Sequence, residues 1–564
     1  MSNDSNINTQ AFYLNPQRKV AVLNYNEKYI ADIFELLDSE ELLEIVQAFL
    51  DRRRHKTETN NAFEDQSATK YVATIKAIML NQSAVFQQFD RTEVLQSIEA
   101  LYSFYRSFLR IAVLNQHDSS VMANGFMNID NQFNDLVIHL YRTIEEKLQG
   151  FANKTYRQVS AGSSACILTQ SHDWPIPAGY EALKPIRFID TLMLRPPMMM
   201  KTPSNKREGT FTAVKQNPIQ KFTGSQDEWF CFPAKIGESL AYIYFHRDYF
   251  ASGISLANLF EVADAKSVIG HKPDLILLFG LQHTEGDVCH YYHDTENDLW
   301  VGEVPYNDKT TYFGYMKKMC LTLHNLHMIY QGKLPIHGSM VQINFANGQS
   351  KNVVFFGDSG AGKSESIEAL QEIADDQIID IETIFDDMGS FTLTDHDIYA
   401  QGTEIGAFVR LDDLSSAVAF NNMDRGIYLN PDQKNARVII PADSYARVIA
   451  HHPIDMWVYA NNYSDKIGVH RFATEDEAKQ TFIAGKRKAL GTTDEVGMST
   501  TFFANPFGPV QEEARTRPII DQVFQRLFDH HIYVGEIYTH LGYDKSKTSL
   551  NQSAQELLDL LTNS

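Results

Sequence analysis

The sequence predicts an α/β chain of several domains organised around a strand, a glycine-rich loop and a helix, with a mixed α/β lobe and an all-α region in front. Three observations carry this. An apolar run, a glycine-rich loop and a helix-forming run follow one another across residues 353–370. Short β-like runs such as Ala241–Phe245 and Leu275–Phe279, broken by Gly, Pro and Asp, fill the chain beyond Ser160. Before that point apolar residues recur at spacings of three and four.

At 564 residues the chain exceeds the roughly 250–300 at which single cores stop growing, so two or three domains are expected. Hydrophobic residues make up 43% and charged residues 21%, a balance that suits a soluble globular protein. The formal net charge of -21 repels polyanions and argues against nucleic acid as the main partner. A mononucleotide is not excluded, because a few cations and backbone N–H groups in one pocket can hold it. Cys166, Cys231, Cys289 and Cys320 form no CxxC pair, which fits a reducing compartment, so cytoplasm is expected. Residues 1–17 lack an apolar signal core and no run of 18 apolar residues occurs, so no membrane partner is expected.

Taken in order, residues 1–26 read as a polar tail and 27–158 as an all-α accessory region. Ile30, Ile33, Phe34 and Leu37, then Leu42, Ile45, Val46 and Phe49, keep helical spacing. Asp38 with Glu41 and Asp90 with Glu93 have capping-box spacing. Residues 159–330 read as a mixed lobe on the substrate side. Its polar stretch with Lys201, Lys206, Arg207, Lys215 and Lys221 is either a solvated loop or a basic loop that closes over an anionic substrate. Cys289, His290 and His293 raise a second metal site, but a surface strand suits them better. Residues 331–545 form the expected nucleotide-binding domain and 546–564 a C-terminal helix.

Within that domain, Val353-Val354-Phe355-Phe356 reads as a buried strand that enters Gly357-Asp358-Ser359-Gly360-Ala361-Gly362-Lys363-Ser364, after which Ser366–Leu370 is helical. Glycines let the backbone wrap phosphates, and the helix N-terminus aims free N–H groups at them. Lys363 would neutralise the β and γ oxygens and Ser364 would offer a hydroxyl to the bridging Mg2+. The pattern predicts ATP. Asp380, at the end of Gln377-Ile378-Ile379, is the metal-acid candidate, with Asp375 and Asp376 as its nearest competitors; Glu382, Asp386 and Asp387 follow closely, so any one of these acids could instead cap a helix or stay solvated.

Together with its flanks, this loop resembles the ATP-dependent phosphoenolpyruvate carboxykinase superfamily, which includes the bacterial HPr kinase/phosphorylases. The resemblance runs from about Tyr312 to Gly508 through five ordered blocks: Tyr315-Met316-Lys317-Lys318-Met319, Ile336-His337-Gly338-Ser339, the loop, Asp380 through Asp387-Met388-Gly389-Ser390-Phe391, and Asn435-Ala436-Arg437-Val438-Ile439-Ile440-Pro441. A sixth runs from Gly485 through Phe503-Ala504-Asn505-Pro506-Phe507. The resemblance implies a carboxykinase-like mixed-sheet P-loop fold, and a manganese ion (Mn2+) on Lys318, His337 and Asp380. Lys318 would ligate as the neutral amine, which adjacent Lys317 favours. It also implies catalytic roles for Lys363, Lys317, Asp380 and Arg437, the arginine contacting the transferred phosphoryl group. Tyr312 and Tyr315 are expected either in the substrate pocket or in the core.

The chain departs from the family in three places. Gln401 in Tyr399-Ala400-Gln401 stands where carboxykinases carry a lysine, Gly491-Thr492-Thr493-Asp494 lacks the nucleotide-contacting arginine, and the segment whose arginine grips oxaloacetate is missing, with Arg195 and Arg207 the only substitutes. The loop's Gly-Asp-Ser-Gly start and Lys-Ser-Glu ending are closer to the HPr kinase branch. The expected function is an ATP- and divalent-metal-dependent phosphotransferase, with oxaloacetate and ATP giving phosphoenolpyruvate, CO2 and ADP as the leading chemistry. The alternatives are a kinase of another small-molecule or protein hydroxyl and a regulatory protein that binds ATP without turning it over.

Overall fold

The structure is a computed structural model and describes residues 10–54, 61–82, 85, 88–115, 123–153, 156, 160–282, 288–374, 377–411, 414, 423–431, 435–490, 496–543 and 547–563. The chain is mixed α/β, with two large mixed sheets. Asp375, Asp376 and the 491–494 segment lie outside the described residues.

The first sheet has twelve strands. Its edge is built by Phe12–Asn15 and Val20–Asn24, followed across the sheet by Leu109–Asn115, Ala165–Gln170 and Phe188–Leu194. Phe12–Asn15, Val20–Asn24 and Leu109–Asn115 correct the sequence reading of a polar tail and an all-α region. Val20-Ala-Val-Leu-Asn and Leu109-Arg-Ile-Ala-Val-Leu-Asn are short apolar runs that pair in parallel, Val20 opposite Leu109, while the helical period belongs to the elements around them. The helices Glu40–Arg54, Ala68–Met79, Arg91–Arg106 and Ala123–Gln149 form a layer whose core joins Val46, Phe49, Tyr71, Ile98 and Phe133 to sheet residues Ala112 and Cys166. Asp90 caps its helix by accepting the N–H groups of Thr92 (2.8 Å) and Glu93 (3.3 Å). Asp38 does not cap; it pairs with Lys76, and the Ser39 hydroxyl takes the Leu42 N–H instead (3.1 Å).

The central part of the sheet runs through Trp229–Ile236, Ser239–His246, Leu275–Leu281 and Leu299–Pro305. His290–Asp294 is an edge-side strand; His293 stacks on Trp300 (4.0 Å) and His290 meets the Thr212 hydroxyl (2.9 Å). Among the described residues no group of three His, Cys, Asp or Glu side chains is arranged to hold a metal.

Helix Phe313–Tyr330, buried along nearly its whole length, connects this sheet to the second, nine-stranded one. Strand Leu334–Phe345 is the pivot of the second sheet. One side pairs with Ser350–Phe356; the other is shared, with Leu334–His337 pairing with Met388–Phe391 and Met340–Phe345 pairing with Ile378–Phe385. Residues 386–387 therefore cross over beside His337. A third sheet, Gly406–Arg410, Arg437–Pro441, Ile427–Leu429 and Met198–Met200, ties the first lobe to the second. Helix Lys547–Asn563 packs against the helix Lys363–Ile373. No helix of the described residues is long and apolar enough to cross a membrane.

Candidate functional site

The glycine-rich loop leaves the buried strand Ser350–Phe356 and enters helix Lys363–Ile373. Gly360 (φ 77°) and Gly362 (φ 107°) occupy left-handed backbone that side chains resist, and a Cβ on Gly362 would come within 2.6 Å of Thr539. Asn462 donates to the Gly360 carbonyl (2.9 Å) and Thr539 to that of Ala361 (2.9 Å), so the loop's carbonyls face the protein. Lys363 is buried and its ammonium turns back to the carbonyls of Gly357 (2.7 Å) and Asp358 (3.3 Å). Ser364, in the first helical turn, and Ser359 are exposed. Asp358 accepts from the Ser359 N–H (2.7 Å) and from Arg487 (3.0 Å), whose guanidinium also holds the Ser359 carbonyl (2.9 Å). Sequence reasoning missed Arg487, because no spacing rule links it to a loop about 130 residues earlier.

A second set of polar groups adjoins the loop. The Gly357 N–H donates to the His337 carbonyl (3.1 Å), which fixes His337 one residue from the start of the loop's turn. Asp387 then gathers three partners: Lys317 and Lys318 both reach its Oδ2 (2.6 Å each), and His337 Nε2 lies 3.0 Å from its Oδ1. Burial alone would raise the Asp387 carboxyl, but the two ammoniums and His337 hold it well below the usual carboxylate range. Lys317 also pairs with fully buried Glu404 (2.9 Å). Burial opposes the charge of Lys317, yet Asp387 and Glu404 outweigh it and raise its pKa. Burial, then the charge of Lys317, depress Lys318 despite Asp387. Burial pushes Glu404 up to about 7.

Both nitrogens of the His337 ring face acceptors. Its Nδ1 lies 2.9 Å from the Ala504 carbonyl, which can only accept, so Nδ1 carries the proton. Burial, then Lys363, lower the histidine's pKa against the opposing pull of Asp387 and Asp358. Nε2 faces an Asp387 oxygen at 3.0 Å, where either a ring proton or a cation shared with the carboxylate can stand.

Asp380 is elsewhere, so the expected grouping of Lys318, His337 and Asp380 is not brought together. It is exposed on Ile378–Phe385 opposite Asn344, whose amide donates to it (2.7 Å). Asn344 is seven positions beyond His337 on one strand (344 − 337 = 7), roughly 23 Å along an extended chain. Lys318 and His337 are brought together, and the carboxylate that both meet is Asp387.

Around this centre two aromatic rings are each flanked by an arginine and a lysine. Arg437 and Lys317 lie over Phe408 (5.4 and 5.6 Å), Arg207 and Lys318 over Phe507 (5.1 and 4.6 Å). Arg437 is oriented by the Asn435 side chain (2.9 Å), and Asn435 donates to the Asn205 carbonyl, which links the basic 201–209 stretch to the same rim. The Tyr315 hydroxyl accepts the Glu208 N–H (3.1 Å). Arg195, by contrast, is bound to buried Asp130 in the helical layer and does not reach the site. Gln401 is buried and donates to the Ile449 carbonyl (2.6 Å), so no charge stands at that position. The sequence matches no protein-family model, and no curated protein matches it.

Proposed function

We propose that the chain is an ATP-dependent phosphotransferase on a carboxykinase-like fold, acting with a divalent cation on a small anionic substrate. The observation that carries this reading is the union of a phosphate-type loop with the Lys317, Lys318, His337 and Asp387 cluster through the Gly357–His337 hydrogen bond. In this reading Gly357 to Ser364 cradle the polyphosphate, and Lys363 exchanges its two carbonyl partners for phosphate oxygens.

What supports a metal is the convergence of Asp387, His337 Nε2 and the depressed amine of Lys318, an oxygen and nitrogen donor set that suits a divalent cation. These three would hold Mn2+ or Mg2+, with the Ser364 hydroxyl facing the phosphate side. When bound, the cation supplies Lewis-acid stabilisation of developing oxyanions. Lys317 stays protonated between Asp387 and Glu404 and adds fixed positive charge. Arg437 and Arg207 are placed to grip an anionic acceptor.

Oxaloacetate is the leading acceptor, decarboxylated and phosphorylated to phosphoenolpyruvate. A coupled assay with oxaloacetate, ATP and Mn2+ tests it: phosphoenolpyruvate should form, and a yield no higher than that of Lys363→Ala would remove the carboxykinase reading. The uncharged, inward-bonded Gln401 favours a second reading, phosphorylation of another small-molecule or protein hydroxyl. ATP turnover with a panel of hydroxyl acceptors separates the two. Tight ATP binding with no acceptor phosphorylated would instead favour a regulatory ATP-binding role.

A further inference from the structure

Two more strand ends open beside the glycine-rich loop. Strand Ser350–Phe356 runs parallel to Met456–Asn461, and that strand runs parallel to Tyr533–Tyr538, so the turns after all three leave one edge of the sheet. Ligands of α/β sheets lie outside such carboxyl ends. A nucleotide whose phosphates occupy Gly357 to Ser364 has its sugar and base still to place, and residues 462–463 and 539–543 form the neighbouring surface.

Asn462 ties that surface to the loop. Its amide donates to the carbonyls of Gly360 and Lys488 (2.9 Å each), and its side-chain oxygen takes the Lys488 N–H (2.8 Å). The Asn462 carbonyl accepts the Gly542 N–H (3.1 Å), and the Tyr543 hydroxyl donates to the Tyr463 carbonyl (2.8 Å). Gly542 has to be small, because a Cβ there would come within 2.4 Å of the Asn462 carbonyl and 2.7 Å of the Lys488 stem. That stem sets its ammonium 4.1 Å from the centre of the Tyr543 ring. Even so Tyr543 is 55% exposed, an anchored aromatic turned to solvent beside a phosphate-type loop.

We infer that Tyr543 is the platform on which the purine base of the bound nucleoside triphosphate stacks, with Lys488 supplying positive charge between ring and phosphates; this rests on the nucleotide reading above. A ring already fixed by its hydroxyl loses little freedom when a base lies on it, so the contact adds to affinity. Calorimetry on the full chain with Mg2+ and either ATP or inorganic tripolyphosphate tests it, since tripolyphosphate has no base and reports the loop alone. Tyr543→Ala should weaken ATP by about tenfold or more and leave tripolyphosphate within about twofold. Tyr543→Phe keeps the π-face and should bind ATP more tightly than Tyr543→Ala. Unchanged ATP affinity in Tyr543→Ala, an equal loss of both probes, or a Tyr543→Phe chain as weak as Tyr543→Ala would overturn the inference and leave the loop reading standing. If the wild-type chain binds neither probe, or Lys363→Ala binds both as before, the loop reading falls and this inference with it. Should Tyr543→Ala lose its circular dichroism, Tyr543→Leu decides by the same two affinities.

Discussion

Two carboxylates, Asp387 and Asp380, lie beside the same strand and occupy opposite surroundings. Asp387 meets the His337 end, where two lysines and a ring nitrogen compress it into one charged cluster. Asp380 meets the Asn344 end, exposed, with an amide as its hydrogen-bond partner. Both follow the loop within 24 residues of Lys363 (387 − 363 = 24), so distance along the chain does not choose between them. Strand register does. The partner of Leu334–Phe345 changes between His337 and Met340, and the chain reversal at that change, with Asp387 at φ 70°, delivers its carboxylate to His337 and the two lysines.

The sharpest way to break this contrast is the pair Asp387→Asn and Asp380→Asn. Removing the Asp387 charge should lower metal-dependent turnover by on the order of 10³-fold. It should also cost about 3–5 kcal/mol in urea unfolding, since two lysines lose their shared anion. Asp380→Asn should leave both within about twofold and 0.5 kcal/mol; a comparable loss there would reverse the assignment. Next in size, Gly362→Ala forces a side chain into left-handed backbone against Thr539 and should weaken ATP binding by about 1–3 kcal/mol, read by calorimetry. Arg437→Lys keeps the charge but not the planar fork, and should cost about tenfold in kcat/KM for the acceptor with ATP affinity unchanged.

The smallest effect extends the contrast to a buried group with no charged partner. His324 lies on the same helix as Lys317 and Lys318, and burial lowers it to about 3. Its folded pKa is below the unfolded value of about 6.5, so the unfolded chain takes up a proton that the folded one refuses. The fold should be unaffected by this group above pH 6.5. It should lose up to about 1.4 kcal/mol per pH unit as pH falls below that value. Urea midpoints at pH 7 and 5 should differ less in His324→Gln; equal differences would mean that His324 is protonated in the fold.

What was legible in the sequence was local. The loop is a run of eight residues whose glycines are required where they stand, and the apolar run before it became a strand. The Lys318 and His337 pairing was legible only through the resemblance, and the geometry brings the two to one carboxylate. Asp387 was not singled out, because a register change is a property of two paired strands. The strands Val20–Asn24 and Leu109–Asn115 escaped notice because each is too short to impose a period of two on the helical pattern around it. Arg207 and Arg487 reach the site from far along the chain, and no periodicity announces such contacts.

The Thr539 hydroxyl that holds the Ala361 carbonyl is 178 positions downstream of it, and the side chain that crowds Gly362 is the same one. On the ribosome the glycine-rich segment therefore emerges long before the residue that braces it. Until the strand Tyr533–Tyr538 joins the sheet beside Met456–Asn461, the nascent segment lacks its brace. The bracing of the loop is then a late event in the folding of this polypeptide, waiting on a strand made long after the loop itself.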